Sequence, residues 1–273
     1  MSVSVSLPNE KNLKEKLTQI NPLLCPDTLT TFFPQYANFT RNRDRFGIWH
    51  TPQIKQKIKQ NQKKYSKVLL LLSGVAGGGK DAIREKIGEL YPDSIFKIIT
   101  ATSRQPREGE KHALDYYFYD SLSAFKTAIK NDEFLEWVTQ GSRLYGSPKV
   151  SIADALSRPE PIAVTHVEMT AWPKVDKFIN KDVEEKPFII KVFVMPHMRY
   201  NKYANEWLSG QRGDCEARMS RTLWELDRAP QEADLIISNH IDKITPFLKW
   251  QTKSLLRLIW EVLTPEAIVK FHS

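Results

Sequence analysis

Between Gly74 and Asp81 the chain reads Gly-Val-Ala-Gly-Gly-Gly-Lys-Asp, the spacing G-x-x-x-x-G-K followed by an acid. Such a run can hold a polyphosphate. The glycines (Gly74, Gly77, Gly78, Gly79, with Ala76 in the same loop) let consecutive backbone N–H groups turn toward an anion without Cβ clashes. A helix beginning near Lys80 adds its partial positive charge, and Lys80 would reach the β- and γ-phosphates of a nucleotide. A Ser or Thr usually follows the lysine and binds magnesium through its hydroxyl. Asp81 stands there instead: a good ligand for a hard cation, yet a repulsive charge beside a triphosphate. ATP and Mg2+ are therefore the expected cofactors, with Lys80 as catalytic cation and Asp81 as metal ligand. The alternative is a tight strand-to-helix turn whose glycines serve packing.

A second group of residues lies downstream. Arg104 and Arg107 flank Gln105-Pro106, and two guanidinium forks on a stiffened loop suit a bidentate grip on phosphate. Taken alone, the same residues equally suit a solvated loop. Asp115-Tyr116-Tyr117-Phe118, Glu133-Phe-Leu-Glu136-Trp137 and Tyr145-Gly146-Ser147 follow.

Taken in order, these motifs resemble the guanylate kinase family: Ser73-Gly-x-x-Gly-x-Gly-Lys80, Ser103-Arg-x-Pro-Arg-x-Gly-Glu110, Asp115-Tyr116-x-Phe118, Glu133–Trp137 and Tyr145-Gly-Ser147. The resemblance covers about residues 67–250. It implies that Arg104, Arg107, Tyr116 and Tyr145 hold an acceptor phosphate, that Glu136 reads a guanine edge, and that Thr100 and Ser147 stand at hydroxyl positions. The chemistry agrees, because guanine presents N1–H and N2–H2 as adjacent donors that a carboxylate accepts together. Where the family has an acidic pair, this chain has His166-Val-Glu168, so Glu168 is a candidate second guanine contact. His166 is either a histidine satisfied at a strand end or part of the site. Gln211-Arg212-Gly213 resembles the arginine of a lid, and Arg218-Met-Ser-Arg221 with Glu225 resembles the helix after it. The Arg212-to-Arg218 interval is short for the family. Arg212 and Arg218 are the candidates for clamping the transferred group, whereas a surface ion pair is the favoured reading of Arg221. Asp234–Asn239 resembles the last strand, with Asn239 near the donor base.

These groups need a scaffold that brings distant segments together. Val68–Leu72, Ser94–Ile99, Pro161–Val167, Pro187–Met195 and Ala233–Ser238 read as strands, most of them continuous apolar runs suited to a sheet covered on both faces. Tyr116–Tyr119 and Phe134–Thr139 are further strands. Asp81–Tyr91, Ser123–Asn131, Met198–Ser209, Glu216–Asp227 and Thr245–Leu263 carry helical periodicity, the last with Thr245 as N-cap and Pro246 in its first turn. The alternation predicts an α/β fold with a parallel sheet. With the resemblance it implies a three-layer P-loop nucleoside monophosphate kinase: a basic N-terminal extension over 1–66, the kinase-like domain over 67–250 (acceptor-binding part about 100–150, lid about 205–218) and a C-terminal helical extension over 251–273.

Composition narrows the classes. The 273 residues are 41% hydrophobic and 11% aromatic, enough for a core, and no uncharged stretch is long and apolar enough for a membrane span. No basic cluster feeds an apolar run at the start, and two cysteines, Cys25 and Cys215, cannot make a disulfide scaffold or a zinc site alone. A soluble, cytoplasmic protein is the expectation. Residues 1–67 hold twelve Lys/Arg against four acids, which accounts for the whole formal charge of +8. Within it Ile54–Lys67, with its Lys/Gln alternation, is expected as a solvated helix or tether before the core, while Phe32, Phe33, Tyr36, Phe39, Phe46 and Trp49 imply that the extension packs locally. Contact with nucleic acid or an acidic partner is the other reading.

The function these features predict is magnesium-dependent phosphoryl transfer from ATP to GMP or dGMP. Two alternatives stay open: a related small-molecule kinase such as a ribose 1,5-bisphosphate kinase, which shares Gly-Lys-Asp in the loop, and a catalytically weak binding module of guanylate kinase-like type.

Overall fold

The computed structural model describes residues 9–140, 142–205, 215–240 and 246–269. Ten strands form two sheets: β1 (Ile48–His50), β2 (Val68–Gly74), β3 (Ile95–Lys97), β4 (Ala101–Thr102), β5 (Tyr117–Phe118), β6 (Phe134–Gln140), β7 (Arg143–Pro148), β8 (Ile162–His166), β9 (Phe188–Pro196) and β10 (Leu235–Asn239). The larger sheet has the order β1-β10-β9-β2-β8-β3 and is parallel except for its antiparallel edge strand β1. The smaller has the order β5-β4-β7-β6.

The apolar run Val68–Leu72 explains the layering. All of β2 is buried between β8 and β9, and its side chains alternate between two cores. Leu69 and Leu71 join one core with Phe193 and Ile236, covered by helices Trp172–Asp182 and Cys215–Glu232. Val68, Leu70 and Leu72 join the other with Ile83, Ile87, Leu255 and Ile259, covered by helices Lys80–Leu90 and Pro246–Val262. The three-layer α/β architecture is as the sequence predicts. The small sheet rests on its own cluster, in which Phe125 of helix Leu122–Lys130 stacks on Phe134 at 4.6 Å.

The N-terminal segment is more deeply built in than a tether. Phe33, Tyr36, Phe39 and Trp49 are buried in the same core as β2, and Tyr36 Oη donates to the Leu226 carbonyl (2.8 Å). Each such buried ring contributes roughly 1.5–3 kcal/mol. Strand β1 closes the sheet against β10, and helix Pro52–Gln60, capped by Thr51 Oγ1 on Ile54 N–H, buries Ile54 and Ile58. At the other end, helix Pro246–Val262 runs unbroken through position 250. Strand β7 and helices Lys149–Ser157 and Trp172–Asp182 are additions to the elements expected. The helix expected over Met198–Ser209 is described only as Tyr200–Tyr203, part of the remainder lying outside the described residues, as do Thr245 and most of the expected lid. No helix among the described residues is long and apolar enough to cross a membrane.

Candidate active site

The phosphate loop is fixed by what surrounds β2. Gly74 has φ +142°, and a Cβ there would lie 2.0 Å from the Val194 carbonyl oxygen of β9, so a side chain at this position would break the sheet. Gly79 takes φ +88° at the N-cap of helix Lys80–Leu90. The loop carbonyls are held from several sides. Asn239 Nδ2 donates to Gly78 O (3.2 Å), Tyr203 Oη donates to Ala76 O (3.0 Å), and Lys80 Nζ donates to Gly74 O (2.7 Å) and Val75 O (3.1 Å). Burial disfavours the charged form of Lys80, while Glu225, Asp81 and Glu168 favour it. Asn239, expected near a donor base, thus serves the cradle through its amide.

The acceptor side is assembled on the small sheet. Arg104 is buried and forks onto Glu110, Nη1 to Oε2 at 2.6 Å and Nη2 to Oε1 at 2.7 Å. Glu110 also accepts the Arg107 backbone N–H (2.8 Å), and these bonds hold its carboxyl down at about 2. The two arginines are therefore unlike: Arg104 is internally partnered, with its guanidinium 5.2 Å from the Tyr116 ring centroid, and Arg107 is exposed. Tyr116 and Tyr145 meet edge-on at 6.3 Å. Glu136 and Ser147 are cross-strand partners on β6 and β7, and Ser147 Oγ donates to Glu136 Oε1 (2.9 Å). The other oxygen, Glu136 Oε2, is buried without a partner among the described residues. Burial and the charge of Glu168 push this carboxyl up to about 7. Thr100 lies at the base of the bench, where its carbonyl accepts from Tyr117 N–H (2.8 Å).

The two sides are linked by a chain of contacts. Glu168, just past β8, pairs with Arg221 Nη2 (2.6 Å), and Arg221 Nε reaches Glu225 Oε1 (3.1 Å). The ion pair expected of Arg221 exists, but it joins a carboxylate beside Glu136 to one beside Lys80. His166, next to Leu72 in register, places Nδ1 3.5 Å from Asp81 Oδ1, which also pairs with Arg84 Nη1 (3.1 Å). Burial lowers the His166 pKa to about 4, so its ring is neutral at pH 7. On the far flank, Lys97 at the end of β3 stands 5.9 Å from the Tyr116 centroid, and both Asp81 and Glu110 act electrostatically on it. Gly74, His166 and Asn239 end β2, β8 and β10, so these groups gather at the carboxyl ends of the parallel strands, where open α/β sheets bind ligands.

Arg218 sits partly buried on helix Cys215–Glu232, one turn before Arg221; Arg212 lies outside the described residues. The sequence assigns no role to Lys97, Arg84 or Tyr203, which have no spacing to announce them. Glu110 and Glu225 stand in quoted motifs without a stated role, Glu110 closing the motif that holds Arg104 and Glu225 lying four residues after Arg221. Among the described residues no three His, Cys, Asp or Glu side chains form a group able to hold a metal ion. A cavity of about 580 Å3, lined in part by His112, Tyr117, Tyr119 and Glu133, touches none of the expected site residues.

A parallel sheet with a glycine cradle at the end of β2, opposed by a small side-chain-lined sheet, defines a P-loop nucleoside monophosphate kinase architecture. The guanylate kinase family model matches residues 66–250. The chain is similar to the guanylate kinase of Carboxydothermus hydrogenoformans, 39% identical over 129 residues, or 47% of this chain and 58% of that protein. It is also similar to that of Campylobacter jejuni, 32% identical over 126 residues, or 46% and 58%. The matches thus span little more than half the length of these relatives. A crystal structure of guanylate kinase from Anaplasma phagocytophilum aligns over 71% of this chain and 84% of that one, with 19% identity and a TM-score of 0.44. The chain belongs to the guanylate kinase family.

Proposed function

We propose that this protein transfers a phosphoryl group from ATP to GMP or dGMP, giving ADP and GDP or dGDP, with magnesium required. The observation that carries the reading is Glu136: one oxygen is held by Ser147, and the other is buried and unpartnered. A buried acceptor left open is costly, and guanine's paired N1–H and N2–H2 donors would satisfy it. Adenine offers one donor, N6–H2, beside an acceptor at N1 that would face the carboxylate unfavourably.

No covalent protein intermediate is needed. Transfer in line requires the two nucleotides to be aligned, water excluded and charge neutralised. Lys80 would leave its loop carbonyls for the β/γ-phosphates, and Arg218, with Arg212, would act on the moving group. Arg104, Arg107, Tyr116 and Tyr145 would hold the acceptor phosphate, the tyrosines donating without adding charge. Magnesium would be bound mainly by phosphate oxygens and water with Asp81 as a protein carboxylate, which fits described residues that offer no cluster of metal ligands. When bound, it would neutralise charge between the β- and γ-phosphates.

A second reading, a binding module with weak turnover, is favoured by Asp81, whose carboxylate faces Arg84 and His166 beside the cradle. One experiment separates the readings: coupled ADP release with ATP, magnesium and a panel of GMP, dGMP, AMP and ribose 1,5-bisphosphate. Turnover confined to the guanine nucleotides is expected. Tight GMP binding without ADP release would establish the module, and turnover of ribose bisphosphate alone would establish the sugar-phosphate kinase.

A further inference from the structure

Part of the basic charge of the N-terminal segment gathers around β1 and the helix that follows it. Arg41, Arg43 and Arg45 alternate along the turn into β1, and all three are exposed, Arg43 sharing Asp27 at 3.7 Å. The acid among them faces inward. Asp44 accepts from the backbone N–H groups of Phe46 (2.8 Å) and Ile48 (2.9 Å) and from Ser254 Oγ. The Ser254 bond pins the turn to helix Pro246–Val262. There Lys249, Lys253 and Arg257 are exposed and recur every four residues, so they form one row. Glu261 in the last turn is the one acid of that helix.

At the join between turn and helix is an aromatic step. Phe46 stacks on Trp250 with 5.4 Å between centroids and 23° between planes, and the Arg45 guanidinium lies 4.7 Å from the Phe46 centroid. Trp250 nevertheless leaves 49% of its surface exposed. Helix Pro52–Gln60 continues the same side. It shares a core with Pro246–Val262 through Ile54, Ile58, Leu255 and Ile259, Lys55 reaches Asn42 (3.4 Å), and Lys59 is exposed.

We propose that this face binds single-stranded nucleic acid, its phosphates following the two basic rows and a base stacking on Trp250. Charge alone would suit any polyanion. The exposed indole, braced by Phe46 and flanked by arginine, is what suits unpaired bases, because their π-faces are free to stack, while a duplex keeps its bases within its own stack.

The test uses the full chain and fluorescein-labelled oligouridylate and oligothymidylate of about twelve nucleotides, with a matched duplex and heparin as comparisons. Anisotropy is read at about 50 and 200 mM salt. Expected is binding of single strands that weakens with salt, log K falling by about 0.7 per phosphate contact for each unit of log salt. Trp250→Ala weakens it about ten-fold or more, and Lys249→Glu with Lys253→Glu flattens the salt slope. Should Trp250→Ala lower the melting midpoint, Trp250→Phe, which keeps a ring, must retain most of the binding. The tighter of the two oligomers identifies the preferred strand. Absence of binding at the lower salt overturns the proposal. So does binding of duplex and heparin as tight as that of single strands with Trp250→Ala silent, which would reduce the face to a general polyanion surface.

Discussion

The two walls of the proposed nucleotide site, a donor wall at Gly74–Lys80 and an acceptor wall on the small sheet, are made of different material. The donor wall is backbone: a turn of glycines whose carbonyls are tied down by Asn239, Tyr203 and Lys80. The acceptor wall is side chains held by other side chains, Arg104 by Glu110 and Glu136 by Ser147. A backbone wall is set by steric fit and depends on one cation for its chemistry. A side-chain wall is set by electrostatics and can be weakened by degrees. Losses on the donor side should therefore fall on turnover, and losses on the acceptor side on GMP affinity, with pH dependence.

The largest expected effect tests the donor wall. Lys80→Ala should lower turnover by on the order of 10³-fold or more, the effect expected if the ammonium neutralises charge on the transferring group as proposed. GMP affinity by calorimetry should stay within about two-fold. Near wild-type ADP release from the purified variant would remove Lys80 from the mechanism. Equal losses in turnover and GMP affinity would erase the contrast between the walls.

Next in size is Glu136→Gln. The amide can accept only one guanine donor and turns its NH2 against the other, so GMP affinity should fall about 100-fold with ATP affinity unchanged. The wild-type carboxyl, pushed up to about 7, adds a signature. Guanine needs the ionised form, so guanosine affinity should fall about ten-fold per pH unit below 7 and level off above it. Guanosine is the right probe because it lacks a titrating phosphate, and Glu136→Gln should flatten the profile. In the free protein the sign for stability is opposite. A carboxyl raised from 4.5 to about 7 by folding makes stability fall as pH rises through that window.

Glu110→Gln should be milder. It leaves the Arg104 charge but removes the carboxylate that positions it, so GMP should bind about ten-fold more weakly and ATP unchanged. Salt should then reduce GMP affinity more steeply than in the wild type, because the freed guanidinium is better solvated.

The contrast also explains what could be seen in the sequence. The cradle was legible because its requirements are local: an apolar strand, glycines at fixed spacing, a lysine and a helix. The acceptor residues were legible as motifs, but their states were not. Nothing at Arg104 announces that its fork is already filled, or at Glu136 that one oxygen is left open. Arg221 makes the ion pair expected of it, with Glu225 four residues on, but only the fold brings Glu168, 53 residues away in sequence, to its other side. The N-terminal segment misled through its charge. Its lysines and glutamines suggest solvent, while Ile54 and Ile58, a single i, i+4 pair in a Lys/Gln run, carry the packing with the aromatic residues.

The smallest expected effect lies at Asp81, where the donor wall carries a negative side-chain charge beside Lys80. A bare carboxylate beside a triphosphate would repel it strongly. Here Arg84 shares the same oxygen at 3.1 Å, and the side chain is 68% exposed, so solvent and guanidinium together mute the repulsion. Asp81→Asn should then tighten ATP binding only about two- to five-fold when magnesium is chelated. With magnesium present the gain should shrink or reverse, because the substitution also removes the carboxylate proposed as a ligand of the ion. Calorimetry of ATP with EDTA and with excess magnesium measures both terms. A large gain in both conditions would mean that Asp81 opposes the nucleotide outright, and that the donor wall, like the acceptor wall, is governed by side-chain charge.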